Sequence, residues 1–391
     1  MTEWKETKLS DLISIKGGLS YKGEYIGTGS TILLGMGCVS FNQTFLKSGA
    51  RLYAGETPDS FLVESGDIVL ATRQQSDNLP ILGAPAIIPV DLETNRVIVG
   101  TNLYKIVNQS EVDNKYLFWL LKCPDYRNHI DSCSKGSTVK MITKDAVESF
   151  TFQCPDKNER NRISNFLWNI ENKIDLLHRQ NTTLELMAET LFRQWFVEEA
   201  QEDWENGTLK DEFDFTMGQS PSGASFNDEG LGIPMFQGNA DFGFRFPTER
   251  VYTTEPTRFA EPMDTLISVR APVGAQNMAK VKCCIGRGVA AFRYKKNANF
   301  YTYTYFKLRS LMEEIKQFND EGTVFGSISK SDFENLATTI PNDSDVIKFE
   351  NEAKPINDKI IKNCEQIQTL EKLRDNLLPK LMSGDVRVRD D

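Results

Sequence analysis

The chain carries one stretch twice. Residues 136–196 align without a gap on residues 322–382 at a constant shift of 186, placing Gly136 on Gly322, Ile142 on Ile328, Lys144 on Lys330, Glu148 on Glu334 and Pro155 on Pro341. Further along, Ile170, Lys173 and Ile174 meet Ile356, Lys359 and Ile360, and Thr183, Leu184 and Glu185 meet Thr369, Leu370 and Glu371. Identity holds at 14 of these 61 positions, where ordinary composition gives about one match in sixteen. A repeat of this length dictates architecture. Each copy is a globular unit followed by a helix, and the chain is two such units in series.

The expected fold class is α+β, with four segments: a first domain at 1–155, a first helix at 156–203, a second domain at 204–341, and a second helix with a tail at 342–391. Short β-prone runs at 9–15, 30–34, 67–72 and 96–99, separated by Gly and Asn clusters, make the first domain strand-rich. One helix is predicted over 114–132. The second domain repeats the plan: Trp204 and Leu209 echo Trp4 and Leu9, 233–238 echoes 32–37, 264–270 echoes 67–73, and 284–286 echoes 98–100. The shift wanders before it settles, so the loops differ between copies. Divergent loops on a shared frame are where different targets would be recognised.

In the first helical segment a 4-3 apolar spacing runs through Ile163, Leu167, Ile170, Ile174, Leu177, Asn181, Leu184, Ala188, Leu191 and Trp195. In the second it runs through Phe349, Ala353, Ile356, Ile360, Asn363, Ile367, Leu370, Arg374, Leu377 and Leu381. Sustained heptads predict a coiled coil, and the first would span ~48 Å. Pro355 predicts a kink or a late start, with Pro379 and Gly384 closing the second helix. An antiparallel register that sets Asn181 against Asn363 also sets Leu177 against Ile367, Leu184 against Ile360 and Trp195 against Phe349. Its one poor layer is Ile170 against Arg374. A slip of one heptad leaves both amides facing apolar partners, at ~1–3 kcal/mol each. The alternative is that each helix packs on its own domain.

Net charge is −10, and no segment is basic overall, which argues against autonomous nucleic-acid binding. Yet between Asp264 and Glu313 no acid occurs and nine cations do: Arg270, Lys280, Lys282, Arg287, Arg293, Lys295, Lys296, Lys307 and Arg309. That run reads either as a local basic face or as a solvated strand face. The N-terminus lacks the pattern of a secretory signal and no apolar run is long enough to span a bilayer, so a cytoplasmic protein is expected. The seven scattered cysteines do not suggest a disulfide framework.

No catalytic motif stands out. There is no phosphate loop and no paired Cys-x2-Cys zinc spacing, and the two histidines, His129 and His178, are expected at the surface. No catalytic or metal-ligating residue is therefore assigned. The glycine-bearing stretches 16–22 and 218–223 occupy matching places in the two domains. Their hydroxyl and amide side chains suit phosphates and base edges. The candidates there are Ser20, Tyr21 and Lys22, and Gln219, Ser220 and Ser222. After matching strands come Arg73, Gln74, Gln75 and Asn78, and then Arg270, Gln276 and Asn277. Arg and Gln make the bidentate contacts that read guanine and adenine. Lys135, Lys140, Asn239, Lys280, Lys282 and Arg287 complete the set of candidates.

Taken in order, these features resemble the specificity subunits of type I restriction–modification systems. The resemblance covers nearly the whole chain. It rests on the repeated domain-plus-helix plan and on 322–329 (GTVFGSIS) leading through Ile340 and Pro341 into a long helix. It rests also on the first-half equivalent 136–143 (GSTVKMIT) and on the close 377–388 (LLPKLMSGDVRV). The resemblance implies a non-catalytic subunit with two target-recognition domains, each reading half of a bipartite, asymmetric site in double-stranded DNA. It implies that the paired helices set the gap between halves and dock two methyltransferase subunits. Those subunits, not this chain, hold S-adenosylmethionine and methylate adenine, and a motor-nuclease subunit joins for restriction. Two other readings remain: a nuclease with an unrecognised site, and a protein-binding scaffold, or orphan DNA-binding module, of the same shape. The acid-free run is the sequence feature that separates DNA reader from scaffold.

Overall fold

The computed structural model describes residues 4–75, 80–92, 96–136, 138–318 and 326–389. Contacts divide the chain into two units, Met1–Lys173 with Leu370–Asp391, and Ile174–Thr369. The division falls inside both long helices, so each unit takes a portion of each helix.

The first unit is built on a four-stranded antiparallel sheet. Strand Ile13–Gly17 pairs with Leu103–Asn108, which pairs with Ile68–Ala71, which pairs with Pro85–Ile87. A three-stranded sheet joins Ile26–Leu34 antiparallel to Ala50–Tyr53 and parallel to Val97–Val99. Strands Lys5–Lys8 and Thr151–Cys154 form a ribbon at the domain's base. The predicted strand at 9–15 begins instead with a 3-10 turn, Leu9–Asp11, in which the Asp11 carboxylate accepts from the Lys8 amide at 3.3 Å.

The predicted single helix over 114–132 is two, Asn114–Leu120 and Pro124–Cys133. Proline lacks an amide hydrogen and suits the first turn of a helix, not its interior, so Pro124 starts the second. Asp113 caps the first by accepting from the Lys115 amide at 2.8 Å. Tyr116 to Leu120 are all buried, and Trp119 packs against Trp168 of the first long helix with ring centroids 5.7 Å apart.

The second unit repeats the plan. Its four-stranded sheet runs Phe213–Met217, Val289–Tyr294, Thr265–Ser268, Gln276–Met278, and the basal ribbon pairs Glu205–Thr208 with Ala337–Ile340. The second sheet is larger, five strands, but keeps the same parallel pair, here Ile233–Phe236 on Cys283–Ile285. Phe192, Phe196, Tyr303 and Phe349 form the aromatic centre that joins helices to sheet.

The first long helix runs Lys157–Arg193 and ends in a π turn, Gln194–Glu198; the second runs Asp343–Ser383. Pro355 falls three turns into the second helix and neither delays nor ends it. Pro379 also lies within the helix, and the stop falls to Gly384, whose φ of +82° suits glycine.

The two helices pair antiparallel inside each unit. In the second unit Asn363 donates to Asn181 at 2.9 Å, with both side chains buried, and Trp195 meets Phe349 edge-on at 6.2 Å. In the first unit Ile163 and Leu167 share a core with Leu378, Leu381 and Met382. The layer that looked poor is resolved by charge: Arg374 turns to Glu171 and donates at 2.8 Å, both residues buried. Ile170, Ile174, Leu177, Ile360 and Ile367 are buried, while Leu184, Ile356 and Leu370 are half-buried. Ile174 and Leu370, paired in the sequence register, fall on opposite sides of the unit division.

Candidate nucleic-acid interface

Three loops meet at one end of the four-stranded sheet in each unit, held by the same backbone hydrogen bonds. In the first unit the Gly18 amide donates to Leu103 (3.0 Å), Leu19 to Val99 (2.8 Å), Gly100 to Leu34 (2.9 Å) and Thr72 to Asn102 (2.9 Å). In the second, Gly218 donates to Val289 (2.9 Å), Gln219 to Ile285 (3.0 Å), Gly286 to Phe236 (2.8 Å) and Val269 to Gly288 (2.9 Å). The backbones approach so closely that a Cβ on Gly18 would lie 2.0 Å from the Gly100 oxygen, and one on Gly218 would lie 2.1 Å from the Gly286 oxygen. Only glycine permits this. A contact to the signature stretch is matched too: Arg73 pairs with Met141, and Arg270 bridges Ser327.

These backbone contacts bring several sequence candidates to one edge. In the first unit Ser20, Lys22, Gln75 and Lys135 are exposed, and Tyr21, Arg73 and Lys140 are half-buried. Lys140 pairs with Gln74, and Lys135 exchanges two backbone hydrogen bonds with Met141, at 2.9 and 2.8 Å. In the second unit Gln219, Ser222, Asn239, Arg270 and Arg287 are exposed. Ser220 Oγ accepts from the Arg287 amide at 3.2 Å, which ties the first loop to the third.

Other candidates face inward. Gln74 is buried, and its Oε1 accepts from the amides of Ile81 (3.1 Å) and Leu82 (3.2 Å), so its side chain is committed to the protein's own backbone. Gln276 donates to the Tyr305 carbonyl (2.7 Å) and Asn277 to the Gly243 carbonyl (2.8 Å), both from buried positions. Buried amides take such partners because leaving them unmade is costly. Lys280 donates to Gln368 of the second long helix at 2.8 Å. Asn78 and the 322–325 portion of the signature lie outside the described residues. His129 is half-buried, its Nε2 2.8 Å from the Ala146 carbonyl, contrary to the surface position expected.

The acid-free run does not form one basic face. Lys282 pairs with Glu261 (2.7 Å), Arg293 with Asp264 (2.7 Å), Arg309 with Glu189 (2.9 Å), and Lys296 with Asp343. Lys307 is buried beside Glu212 and the Thr339 carbonyl, and burial pushes its pKa down. Acids distant in sequence are close in space, so the run loses its power to separate DNA reader from scaffold. Of the nine cations, Arg270, Arg287 and Lys295 are exposed without an ion pair among the described residues, Lys295 donating instead to the Lys210 carbonyl. Arg258, exposed and with its carbonyl accepting from the Ile285 amide at 3.0 Å, joins Arg287 at the third loop. Its neighbours Glu255 and Glu261 hid it from the charge pattern. Among these residues no group of three or more His, Cys, Asp or Glu could hold a metal ion, and no helix is long and apolar enough to cross a membrane.

Two copies of one α+β domain, each carrying the same loop junction on paired antiparallel helices, define a tandem recognition protein. The family model for the type I restriction modification DNA specificity domain matches residues 1–186 and 201–348, and the chain belongs to that family as a specificity subunit with two target-recognition domains. The family is non-catalytic. The chain is 29% identical over 310 residues to a putative type I restriction enzyme MjaX specificity subunit of Methanocaldococcus jannaschii, covering 74% of this chain and 72% of that one. The MjaIX specificity subunit of the same organism is 23% identical over 99% of this chain and 94% of its own length. A crystal structure of a type I restriction–modification S subunit from M. genitalium, 18% identical, shares the fold with a TM-score of 0.61 over 98% of this chain and 99% of that one.

Proposed function

We propose that each unit reads one half of a bipartite, asymmetric site in double-stranded DNA through its sheet-end junction, and that the helix pair sets the gap between halves. The carrying observation is a junction built twice from the same backbone hydrogen bonds but lined by different side chains. A shared frame presents both loops alike, while Ser20, Lys22 and Arg73 on one and Gln219, Arg270 and Arg287 on the other select different bases. DNA repeats every ~34–36 Å, so helix length governs which groove faces each unit.

The repeated helix-bearing segments offer matching docking faces to two copies of a methyltransferase subunit, which holds S-adenosylmethionine and methylates adenine. A motor-nuclease subunit completes the restriction complex, and the whole acts in the cytoplasm. This chain binds no cofactor and supplies no reacting group. Mapping methylated adenines in cells carrying this chain and its methyltransferase tests the reading. One asymmetric motif, two short blocks separated by a constant gap, is expected. A contiguous motif, or methylation independent of this chain, refutes it.

A further inference from the structure

Arg245 has a side-chain exposure of 0%. It sits in the loop that leaves the second unit's junction, with its guanidinium carbon 3.9 Å from the centroid of the Tyr305 ring and its charge paired to Glu185 on the first long helix. Its Nε and Nη1 have no hydrogen-bond partner among the described residues. A buried pair satisfied this incompletely is a weak source of stability, and well-packed apolar residues of similar volume often serve as well. What a stacked, ion-paired guanidinium does supply is direction, because both its plane and its charge are constrained.

The loop it anchors is short and internally braced. Gln237 and Asn239 begin it at the junction, where a Cβ on Gly288 would meet the Gln237 oxygen at 2.1 Å. Asp241 Oδ2 accepts from the Gln237 amide (2.7 Å), Asn277 donates to Gly243 (2.8 Å), and the Met278 amide donates to the Arg245 carbonyl (2.9 Å). Movement at Arg245 therefore has few residues in which to dissipate before it reaches Asn239. The first unit holds its matching loop differently. Thr44 stands at the place of Arg245, its carbonyl accepting from the Ile87 amide (3.1 Å), and Lys122 donates to the neighbouring Gln43 carbonyl (3.0 Å).

We propose that Arg245, through Glu185, is a positioning residue for the second half of the DNA site: it ties the angle of the Gln237–Asn239 edge to the first long helix. This rests on the reading of each unit as a half-site reader. The first unit, lacking the arginine, serves as an internal control.

The test uses the complex with the partner methyltransferase, carrying Arg245→Met alone or with Glu185→Leu. Thermal melting and the methylated motif are read together. The double variant is expected to melt near the parent, and Arg245→Met alone below it because Glu185 is left largely buried without its partner. In both, discrimination at one or more bases of the second half is lowered about tenfold and the first half is unchanged. Unchanged discrimination in both halves, equal losses in both, or failure of the double variant to fold would each overturn the proposal. A parent complex that yields no bipartite motif would instead remove the half-site reading itself.

Discussion

The paired amides on the helix seam give the sharpest expectation for stability. Asn181 and Asn363 are 0% and 1% exposed, Asn363 Nδ2 donates to Asn181 Oδ1 at 2.9 Å, and Asn181 Nδ2 reaches Cys364 Sγ at 3.4 Å. Asn363 Oδ1 has no partner among the described residues, so the layer is incompletely satisfied. Asn181→Leu strands the buried Asn363 amide, which costs ~1–3 kcal/mol. Leucine's larger apolar surface offsets part of that. A 2 kcal/mol loss lowers the melting temperature of a unit this size by about 4–8 °C. Replacing both by leucine removes every unmet polar group and is expected to restore or exceed parental stability. Urea unfolding followed by tryptophan fluorescence reads both units, through Trp4, Trp119 and Trp168 in the first and Trp195 and Trp204 in the second, and the loss should fall on the second unit's signal. The double-mutant cycle should give a coupling of about 1–3 kcal/mol. Additive losses, or a single variant as stable as the parent, would refute the reasoning. The double variant should also blur helix register, because a heptad slip no longer buries an unpaired amide.

Lys122 is 5% exposed, its ammonium 5.0 Å from the Phe118 ring centroid, and burial pushes its pKa down to about 7. The unfolded chain then binds the extra proton between pH 7 and the ordinary lysine range, so the first unit should gain stability as pH rises through that window; Lys122→Met should flatten the slope in pH-dependent melting. Arg374→Leu leaves Glu171 buried and unpaired and should cost ~3–5 kcal/mol in denaturation, most of it recovered by adding Glu171→Leu. For DNA, the isolated acidic chain should bind weakly and the methyltransferase complex tightly and with strong salt dependence; equal affinities in a titration would contradict this. In the complex Arg270→Glu should abolish targeting with assembly intact, whereas Lys282→Glu, already neutralised by Glu261, should do far less.

The helix seam was legible because a 3.5-residue period and a single amide per helix determine both partner and direction. Arg374 was the exception: a seam position can be filled by a charge if a carboxylate one residue off the opposing seam, here Glu171, turns to meet it. Candidate interface residues were less legible. Arg73, Lys135 and Lys140 converge through strand pairing that sequence spacing does not disclose. Gln74, Gln276 and Asn277 have the right chemistry for bases but are buried. Gln276 and Asn277 are neighbours on one strand and face opposite sides of it, so both faces of that strand are covered, which only packing decides.

By itself the sequence determined that the protein is two-fold in plan, that long helices pair antiparallel through Asn181 and Asn363, and that glycines recur at the matching loops. These are properties of periodicity and repetition, which are local or compare the chain with itself. Tertiary structure alone decided which charges remain unpaired. Five of the nine cations between Asp264 and Glu313 meet acids, among them Glu189, Glu212 and Asp343, which lie far off in sequence. Electrostatic pairing depends on distance in space, and folding brings together what the chain order keeps apart.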